Sequence, residues 1–379
     1  MPEILVIEFL HAHSAAFEQA SGSLRSEGRQ MLVSAVNDFL SVPGLSVSIA
    51  VCAAAAATLE SALAESVQRL RVPDSSDDSS TIAAISALTE SHFQYVFPIA
   101  PECDGILSAL VATLIETLAS TNACLLTTPL AAIKICSDKW TTHQFLTDNR
   151  LPTIPTYLVD QLREDLFAIN QQVVVKPRDG AGSENIQAVV WGELYSRWSD
   201  SVTSNSRPAS QLPTDRQLVP ESWWQHFSAE HPHSASSFVV QPYIAAESLS
   251  IGVIGRGPNT SPLILPVATQ TICWQNGQPC YQGGQIPASV SAKVADEASQ
   301  LASRIAQLLQ INHGYIGIDL LLPQDSDQLL ITEINPRLCS SYIGYRQATT
   351  ANLAEILLAK AEPHNVTWIH EVVSFNVTG

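Results

Sequence analysis

The chain has 379 residues, 46% of them hydrophobic, and a formal net charge of −17. This length predicts two or three domains, and the hydrophobic content excludes wholesale disorder. Only 19 lysines and arginines stand against 36 acidic residues, which disfavours binding to nucleic acid or to an anionic membrane surface.

The sequence pattern predicts neither a secretory signal nor a membrane span. A strand-like run begins at Ile4, and no apolar stretch of 18 residues follows. The seven cysteines form no C-x-x-C pair, and nothing near Cys273 and Cys280 would complete a metal site. Such cysteine usage fits a reducing compartment, so we expect a cytoplasmic protein.

Strand and helix patterns alternate over residues 1–127. Strands are predicted at 4–9, 45–52, 95–99 and 123–126, and helices at 24–40, about 58–70, 81–92 and 106–118, with a loop at 73–80. This alternation predicts an α/β domain with an open parallel sheet and helices on both faces. Ligands bind such sheets beyond the carboxyl ends of the strands, where Glu8 and the turn 101–105 would lie.

The turn after the first strand argues against a dinucleotide site. It reads His11-Ala12-His13-Ser14 in place of G-x-G-x-x-G, which disfavours a nicotinamide dehydrogenase. We interpret the two histidines as part of an exposed loop rather than as metal ligands.

The pattern changes after Pro129. Two helices are expected up to about Asn149, followed by an extended segment that Pro152 and Pro155 enforce. The polar stretch 196–236 predicts a surface insertion partly ordered around its two tryptophans. Further strands are predicted at 238–244, 249–254, 315–322 and 329–335, with an amphipathic helix at 289–310.

The segment 173–183 indicates phosphate binding. Lys176 ends a run of three valines, and a lysine there is costly unless it reaches water or an anion. The glycines at 180 and 182 allow close approach of the backbone to a ligand. A surface lysine before an ordinary D-G turn is the alternative, and a second motif decides against it.

That second motif is a predicted hairpin that carries acidic residues. If strands 315–322 and 329–335 pair, Asp319 and Glu333 lie side by side, and Asn335 shares the face of Glu333. Facing carboxylates repel each other, and a divalent cation removes that penalty. Ligands that are all oxygen favour Mg²⁺ or Mn²⁺, and Arg337 could stabilise charge that develops in the reaction.

Together these motifs resemble the ATP-grasp superfamily over about residues 128–350. The resemblance implies an α+β ATP-grasp fold in which a parallel-sheet α/β domain (1–127) precedes a two-lobed ATP-grasp module. The module would comprise linker helices and a lid (128–240) and a C-terminal lobe (241–379). ATP and Mg²⁺ would bind between the lobes.

The resemblance also implies roles for individual residues. The expected ATP contacts are Lys139, Lys176, Asp179, Gly180, Gly182, Ser183, Gln241, Tyr243, Ile244 and Glu247. The expected metal ligands are Asp319, Glu333 and Asn335. Arg337 and Lys176 would stabilise the transferred phosphoryl group. The glycine that the family usually carries before its ribose-binding acid is replaced by Ala245-Ala246, which weakens the transfer of that role to Glu247.

A narrower resemblance is to the tyramine–glutamate ligases of methanofuran biosynthesis. It is carried by Glu8-Phe9, by residues 23–32 and 100–105, and by residues 270–284. Glu8, Tyr281, Gly283 and Gly284 would then lie on the substrate side, the last three in a loop facing the γ-phosphate. An ordinary turn with a packed tyrosine is the alternative for that loop.

The expected reaction activates a carboxylate with ATP and joins it to an amine. The expected partners are therefore small molecules, and the resemblance also allows a homodimer. Two alternatives stay open: an ATP-grasp ligase for another amino acid or peptide, and a regulatory protein that binds ATP without turnover.

Overall fold

The computed structural model describes residues 1–90, 93–180, 185–203, 237–258 and 260–377. Most of the predicted insertion at 196–236 therefore lies outside the described residues, as do Gly182 and Ser183. None of the helices in the described ranges combines the length and hydropathy that a membrane-spanning helix requires.

The N-terminal part is built on a five-stranded parallel sheet of order β3-β2-β1-β4-β5. Its strands are β1 (Glu3–Glu8), β2 (Ser46–Val51), β3 (Gln68–Arg71), β4 (Tyr95–Ile99) and β5 (Cys124–Leu125). Its helices are α1 (Phe9–Ala12), α2 (Ser14–Gln19), α3 (Gly22–Leu40), α4 (Ala53–Leu59), α5 (Asp78–Leu88) and α6 (Ile106–Leu118). The predicted parallel α/β architecture is confirmed.

Side chains of β1 alternate between the two faces of this sheet. Ile4 and Val6 pack in one core with Leu32 of α3, whereas Leu5 and Ile7 pack in another core with residues of α5 and α6. A strand that is buried on both faces needs apolar residues at every position, which explains why β1 shows no alternation of polar and apolar residues.

Two predictions in this part are wrong. The helix expected at 58–70 lies earlier, at Ala53–Leu59, because the alanine run favours helix. Residues 68–71 instead form β3, which extends the sheet beside β2. The loop expected at 73–80 ends early because Asp77 caps α5, its side chain accepting a 2.8 Å hydrogen bond from the Ser80 amide.

The expectation of an exposed histidine loop is also wrong. His11 and His13 are 1% and 2% exposed, and they lie where α1 and α2 meet. His11 Nδ1 contacts the carboxylate of Glu8, while His13 Nε2 lies 3.1 Å from Asp78 Oδ1. These contacts satisfy both rings inside the N-terminal part.

A second sheet of four antiparallel strands follows two linking helices, and we call it the lid sheet. The linking helices are α7 (Leu130–Cys136) and α8 (Lys139–Asp148), as predicted. The lid sheet has the order β6-β9-β7-β8. Its strands are β6 (Tyr157–Leu158), β7 (Gln172–Pro177), β8 (Gln187–Val190) and β9 (Phe238–Pro242). Helix α9 (Trp191–Thr203) follows β8 in the sequence.

The third sheet is the largest, with seven strands. Its path is β15-β14-β10-β12-β13-β16, and β11 pairs with β10. Its strands are β10 (Ala246–Arg256), β11 (Leu263–Ile264), β12 (Ala268–Gln275), β13 (Gln278–Ile286), β14 (His313–Pro323), β15 (Leu330–Asn335) and β16 (Val373–Asn376). Its helices are α10 (Ala292–Leu308), α11 (Tyr342–Gln347) and α12 (Leu353–Leu357). Short 3-10 turns occupy Cys103–Gly105, Val159–Gln161, Glu164–Leu166 and Pro363–Asn365.

The predicted hairpin of β14 and β15 is confirmed. The strands pair antiparallel, and their register places Asp319 opposite Glu333 and Gly317 opposite Asn335. Amphipathic α10 belongs to the hydrophobic core that covers this sheet, through Val294, Ala298 and Ile305.

The turn between β12 and β13 ties the large sheet to the lid sheet. The Ala188 amide donates to the Gly277 carbonyl at 2.7 Å, and Gln187 Nε2 donates to the Asn276 carbonyl at 3.0 Å. Gly277 has φ +78°, and a Cβ there would lie 1.9 Å from Gln187 Nε2. Only glycine fits this contact.

Candidate functional site

A cavity of about 290 Å³ lies between the lid sheet, the large sheet and the N-terminal part. Its polar lining comes from all three: Lys176 and Gln241, Gln270, Asp319 and Glu333, and Glu27 and Glu102. A concave site with a few convergent polar groups is typical of small-molecule binding.

One end of the cavity is formed by the connection between the lid sheet and the large sheet. Gln241, Tyr243 and Ile244 line it, together with Trp274 of β12. The Tyr243 and Trp274 rings lie edge to face with centroids 5.8 Å apart. The Tyr243 amide already donates to the Gln172 carbonyl at 3.0 Å, and Gln241 Nε2 donates to Thr156 Oγ1 at 2.8 Å. This end is an apolar, aromatic slot with backbone groups at its wall.

Lys139 joins the linking helices to the centre of the cavity. It is the first residue of α8, and Asp138 caps this helix. Its Nζ donates to the Gly180 carbonyl at 3.0 Å and lies 2.9 Å from Glu333 Oε1. Burial is the largest influence and opposes its charge, but the surrounding carboxylates, Glu333 first, together raise the pKa of Lys139. Lys139 therefore stays charged between the loop after β7 and the carboxylate of β15.

The loop after β7 is held in place by further contacts. Arg178 Nε and Nη2 donate to Asp138 Oδ2 at 3.0 and 2.6 Å, and the Lys139 amide donates to the Arg178 carbonyl at 2.8 Å. Asp179 accepts a 3.0 Å hydrogen bond from the Asp104 amide of the N-terminal part. The start of the expected phosphate loop is thus fixed to α8 and to the turn after β4.

Lys176 faces the cavity from β7. It is 7% exposed, and burial lowers its pKa to about 8, with Glu333 acting in the opposite direction. A buried lysine loses charge stabilisation when it leaves water, and an anion restores that stabilisation. Lys176 is therefore suited to binding an anionic group in the cavity.

Asp319 lies at the centre of a hydrogen-bonded group. Gln270 Nε2 donates to its Oδ1 at 2.8 Å, and Asn335 Nδ2 donates to its Oδ2 at 2.9 Å. Burial, together with the adjacent negative charge of Glu333, raises the pKa of Asp319 to about 6. For Glu333 itself, burial is outweighed by Lys139 and Lys176, and the pKa is lowered.

The donor atoms here fit a hard divalent cation. Asp319, Glu333 and Asn335 offer only oxygen ligands when the Asn335 amide turns its oxygen inward, and a cation would relieve the repulsion between the two carboxylates. Within the described ranges, no three His, Cys, Asp or Glu side chains group as a metal site. Two carboxylates and one amide oxygen match the few protein ligands that Mg²⁺ takes when phosphate and water complete its shell.

A further polar atom points to a ligand at this place. Ser250 of β10 pairs with Asp319 across the strands and lines the cavity. Its Oγ is buried and has no hydrogen-bond partner among the described residues. Buried hydroxyl groups are nearly always hydrogen-bonded, so this one requires a ligand or a water.

Arg337 marks the other end of the cavity. Its Nε donates to Glu102 Oε2 at 2.5 Å and its Nη2 donates to Glu102 Oε1 at 3.2 Å. Glu102 is 3% exposed and lies in the turn after β4. Burial is the largest influence and opposes the charge of Arg337, but the acidic groups around it, Glu102 first, together raise the pKa of the guanidinium. This bidentate pair joins the N-terminal part to the segment after β15.

Several predicted site residues lie elsewhere. Glu247 is exposed and lies between Ala246 and Ser248, which both line the cavity. Because neighbouring residues of a strand face opposite sides, the structure places Glu247 on the wrong face for a ribose contact. Glu8 is 2% exposed and is absent from the lining, because it caps α1 by accepting from the His11 amide at 3.0 Å.

The expected substrate loop at 281–284 is a strand. Tyr281, Gly283 and Gly284 belong to β13, and only Tyr281 lines the cavity. A Cβ at Gly283, which has φ +122°, would lie 2.0 Å from the Phe375 carbonyl oxygen. These glycines therefore serve close packing against neighbouring strands rather than a phosphate.

Sequence reasoning missed three polar residues of the lining. Glu27 lies in the sixth position of α3, Gln270 in β12, and Glu102 in a turn that was expected only at the edge of the first sheet. They lie within the phrases 23–32, 100–105 and 270–284 that carry the narrower resemblance, which was the signal that could have found them, and packing of the N-terminal part brings Glu27 and Glu102 to the cavity.

Comparison with known proteins gives the fold a name. Residues 221–341 match the family of the ATP-grasp domain. No curated protein sequence matches significantly. Among solved structures, an ATP-grasp superfamily protein from Archaeoglobus fulgidus is 19% identical over 96% of this chain and 89% of its own, with a TM-score of 0.61.

Two further structures share the fold. A biotin carboxylase from Campylobacter jejuni, solved as a β-γ-ATP complex, is 15% identical over 96% of this chain and 73% of its own, with a TM-score of 0.65. An L-amino acid ligase from Bacillus licheniformis is 13% identical over 97% of this chain and 77% of its own, with a TM-score of 0.60.

Proposed function

We propose that this chain belongs to the ATP-grasp superfamily and is an ADP-forming ligase that joins a carboxylate to an amine, as its domain match and fold support. One observation carries the proposal. Lys139, Lys176, Asp319, Glu333 and Arg337 converge on one cavity that also reaches the N-terminal part. The division at 1–127, 128–240 and 241–379 belongs to this proposal.

ATP would lie along the cavity from the aromatic slot to its centre. Its base would contact the backbone near Tyr243 and Ile244, and its phosphates would contact Lys139, Lys176 and the loop that begins at Asp179 and Gly180. Asp319, Glu333 and Asn335 would hold Mg²⁺, which when bound neutralises phosphate charge. Ser250 Oγ would find its missing partner in the bound ligand.

The chemistry needs no nucleophile from the protein. A substrate carboxylate oxygen attacks the γ-phosphorus, and the bond from that phosphorus to the β-γ bridging oxygen breaks, giving ADP and an acyl phosphate. The amine nitrogen then attacks the acyl carbon, the bond from that carbon to the phosphate oxygen breaks, and the amine gives up a proton. Arg337 and Lys176 lie where they would stabilise charge on the transferred group.

The substrate pair that we propose to test first is glutamate with tyramine, in a cytoplasmic enzyme. This choice depends on the sequence phrases at 23–32, 100–105 and 270–284. Two placements support it: residues 27 and 102 line the substrate end of the cavity, and so does Tyr281. An L-amino acid ligase among proteins of the same fold makes a dipeptide product the second candidate.

The test measures ADP release with Mg·ATP over a matrix of amino acids and amines. ADP and a new amide, detected by mass spectrometry, should appear with glutamate and tyramine and with neither alone. Turnover with another pair would keep the ligase and replace the substrates. No ADP with any pair, despite tight ATP binding, would contradict the proposed activity.

A further inference from the structure

Two cysteines lie opposite each other on the hairpin of β12 and β13. Cys273 pairs with Cys280 in the register of these antiparallel strands, and both thiols are free in the structure. The turn between the strands fixes this register. It has two residues, Asn276 and Gly277, with φ of +52° and +78°, the signs that a tight N-G hairpin turn requires. A register slip that would separate the two thiols is therefore disfavoured.

The two cysteines lie on the face of the hairpin that is turned away from the cavity. Their neighbours Ile272, Trp274 and Tyr281 line the cavity, and successive residues of a strand face opposite sides. Cys280 is exposed, and Cys273 is half-buried. A small dissolved disulfide can therefore reach the Cys280 thiol without entering the cavity.

The strand pairing brings the two cysteines into the range of a disulfide. Residues directly opposite in an antiparallel pair have Cα atoms about 4.5–5.5 Å apart and Cβ atoms about as far apart. A disulfide spans Cα separations of about 4.4–6.8 Å and Cβ separations of about 3.5–4.5 Å. The Cα separation fits without change, whereas the strands must draw slightly together for the Cβ atoms. A bond that holds the strands in this way is easy to reduce again.

We propose that Cys273 and Cys280 form a reversible disulfide across the hairpin in the presence of a small-molecule disulfide. The Cys280 thiolate attacks one sulfur of that disulfide and releases a small-molecule thiolate, which leaves a mixed disulfide on Cys280. The Cys273 thiolate then attacks the Cys280 sulfur and releases the second small-molecule thiolate. The protein gives up two electrons and two thiol protons, and the oxidant becomes two thiols. In a reducing compartment, disulfides of this kind are transient and respond to the redox state.

The bond would act on the aromatic slot, an effect that rests on the proposed nucleotide site. Trp274 directly follows Cys273 in the sequence, and its ring lies edge to face with that of Tyr243. The tip of the hairpin accepts the hydrogen bonds from Ala188 and Gln187 of the lid sheet. Drawing the two strands together therefore moves one wall of the slot and the contact that ties it to the lid sheet.

The first experiment detects the bond itself. The protein is equilibrated with glutathione disulfide, free thiols are blocked with N-ethylmaleimide, and the tryptic peptides are weighed. The peptide 257–293 holds Cys273 and Cys280 and no other cysteine, so the bond should appear as an unblocked peptide that is lighter by two hydrogens. The peptide 72–134 holds Cys103 and Cys124, which lie near opposite ends of β4, and should remain fully blocked.

Two variants separate the pair from a general reactivity of the thiols. Cys280→Ser removes the thiol that the oxidant reaches and should abolish the bond. Cys124→Ser is the matched control, because Cys124 is half-buried and pairs with Tyr95 rather than with a cysteine, and it should form the bond like the wild type. A wild-type peptide 257–293 that stays fully blocked, or that carries glutathione on both cysteines, would overturn the proposal.

Nucleotide binding tests the consequence for the slot. The Kd for Mg·ADP, measured by calorimetry, should rise about three- to tenfold in the oxidised wild type, as for the loss of one aromatic contact. It should return to its first value with dithiothreitol and stay constant in Cys280→Ser. A bond that leaves this Kd within about twofold would overturn the effect on the slot. Reduced protein that binds no ADP would reject the proposed function, while the peptide masses still decide the disulfide.

Discussion

The two ends of the cavity are built in different ways. At one end and in the centre, the polar lining includes Lys176 on a strand of the lid sheet and Asp319 and Glu333 on strands of the large sheet. Each of these residues belongs to a motif that can be recognised in the sequence. At the other end, Glu27 and Glu102 come from the N-terminal part: Glu102 contacts Arg337 and Glu27 contacts Ser340, each across more than 200 residues of chain. The residues proposed to bind phosphate and metal thus follow from local sequence, whereas the residues at the other end are brought together by the packing of the N-terminal part.

The largest losses of activity are expected for variants of Glu333, in the centre of the cavity, and of Arg337, at its other end. Glu333→Gln removes a carboxylate that lies 2.9 Å from Lys139 Nζ and opposite Asp319, and Arg337→Ala removes the cation at the substrate end. Each should reduce kcat by about a thousandfold or more, since each removes electrostatic stabilisation of the transferred group. The measurement is ADP release at saturating Mg²⁺, with circular dichroism as a check of folding.

Asp325→Asn, in the exposed turn of the same hairpin, is the control for these variants. Ligase activity near the wild-type level in Glu333→Gln or Arg337→Ala would contradict the site assignment, whatever the identity of the substrates.

A smaller and more selective effect is expected for Glu102→Gln. The neutral amide keeps an acceptor for Arg337 but leaves a buried guanidinium without its counter-charge, so the arginine should lose its fixed position. We expect kcat to fall by roughly ten- to a hundredfold while ATP affinity is unchanged. Steady-state kinetics with ATP titrated alone separates the two effects, and Glu116→Gln, exposed on α6, is the control.

A fall in ATP affinity equal to the fall in kcat would break the distinction between the two ends. It would mean that the N-terminal part also shapes the nucleotide site.

The nucleotide end should show its own pH dependence. Because the pKa of Lys176 is about 8, this side chain loses its charge in the free protein as pH rises through 8. The value of kcat/KM for ATP, which reports the free enzyme, should therefore decline above pH 8. Lys176→Arg keeps the charge to a much higher pH and should move that decline upward.

Lys134→Arg, at an exposed lysine of α7, should leave the pH profile unchanged. An identical profile in wild type and Lys176→Arg would show that another group causes the decline.

The smallest changes in KM for ATP are expected for variants of β10, where neighbouring side chains lie on opposite faces of the sheet. Glu247→Ala should leave KM for ATP within about twofold, because this side chain lies away from the cavity. Ser250→Ala should raise it several-fold, since its buried Oγ has no partner among the described residues and would bond to the ligand. The reverse order would restore Glu247 as a nucleotide contact.

The hairpin that carries the central acids could be predicted from sequence because its signals are local. Apolar runs at 315–322 and 329–335 flank a polar turn, and this pattern predicts a hairpin in which Asp319 and Glu333 come near each other at the closest register. The parallel sheet of the N-terminal part was predictable for the same reason, from buried strands that alternate with amphipathic helices.

Other features could not be predicted because tertiary contacts decide them. The run around Gly283 and Gly284 looks like a loop, yet close contact with β12 and β16 makes it a strand. Glu247 looks like a ribose ligand until the register of β10 fixes which face each residue occupies. Glu27 and Glu102 lie in phrases that carry the narrower resemblance, but their place in the cavity depends on how the N-terminal part packs, which local sequence does not give.

The contact at Gly277 bears on how the proposed nucleotide site would open. The lid sheet continues covalently into β10 on one side of the cavity, and on the other it is fastened by two hydrogen bonds from Ala188 and Gln187. Two such bonds contribute on the order of 1–3 kcal/mol net, which corresponds to a roughly ten- to hundredfold bias toward the fastened state. In the proposed ligase, opening this side for nucleotide exchange would break these two bonds and also the contacts of Arg178 with Asp138 and of Asp179 with the Asp104 amide.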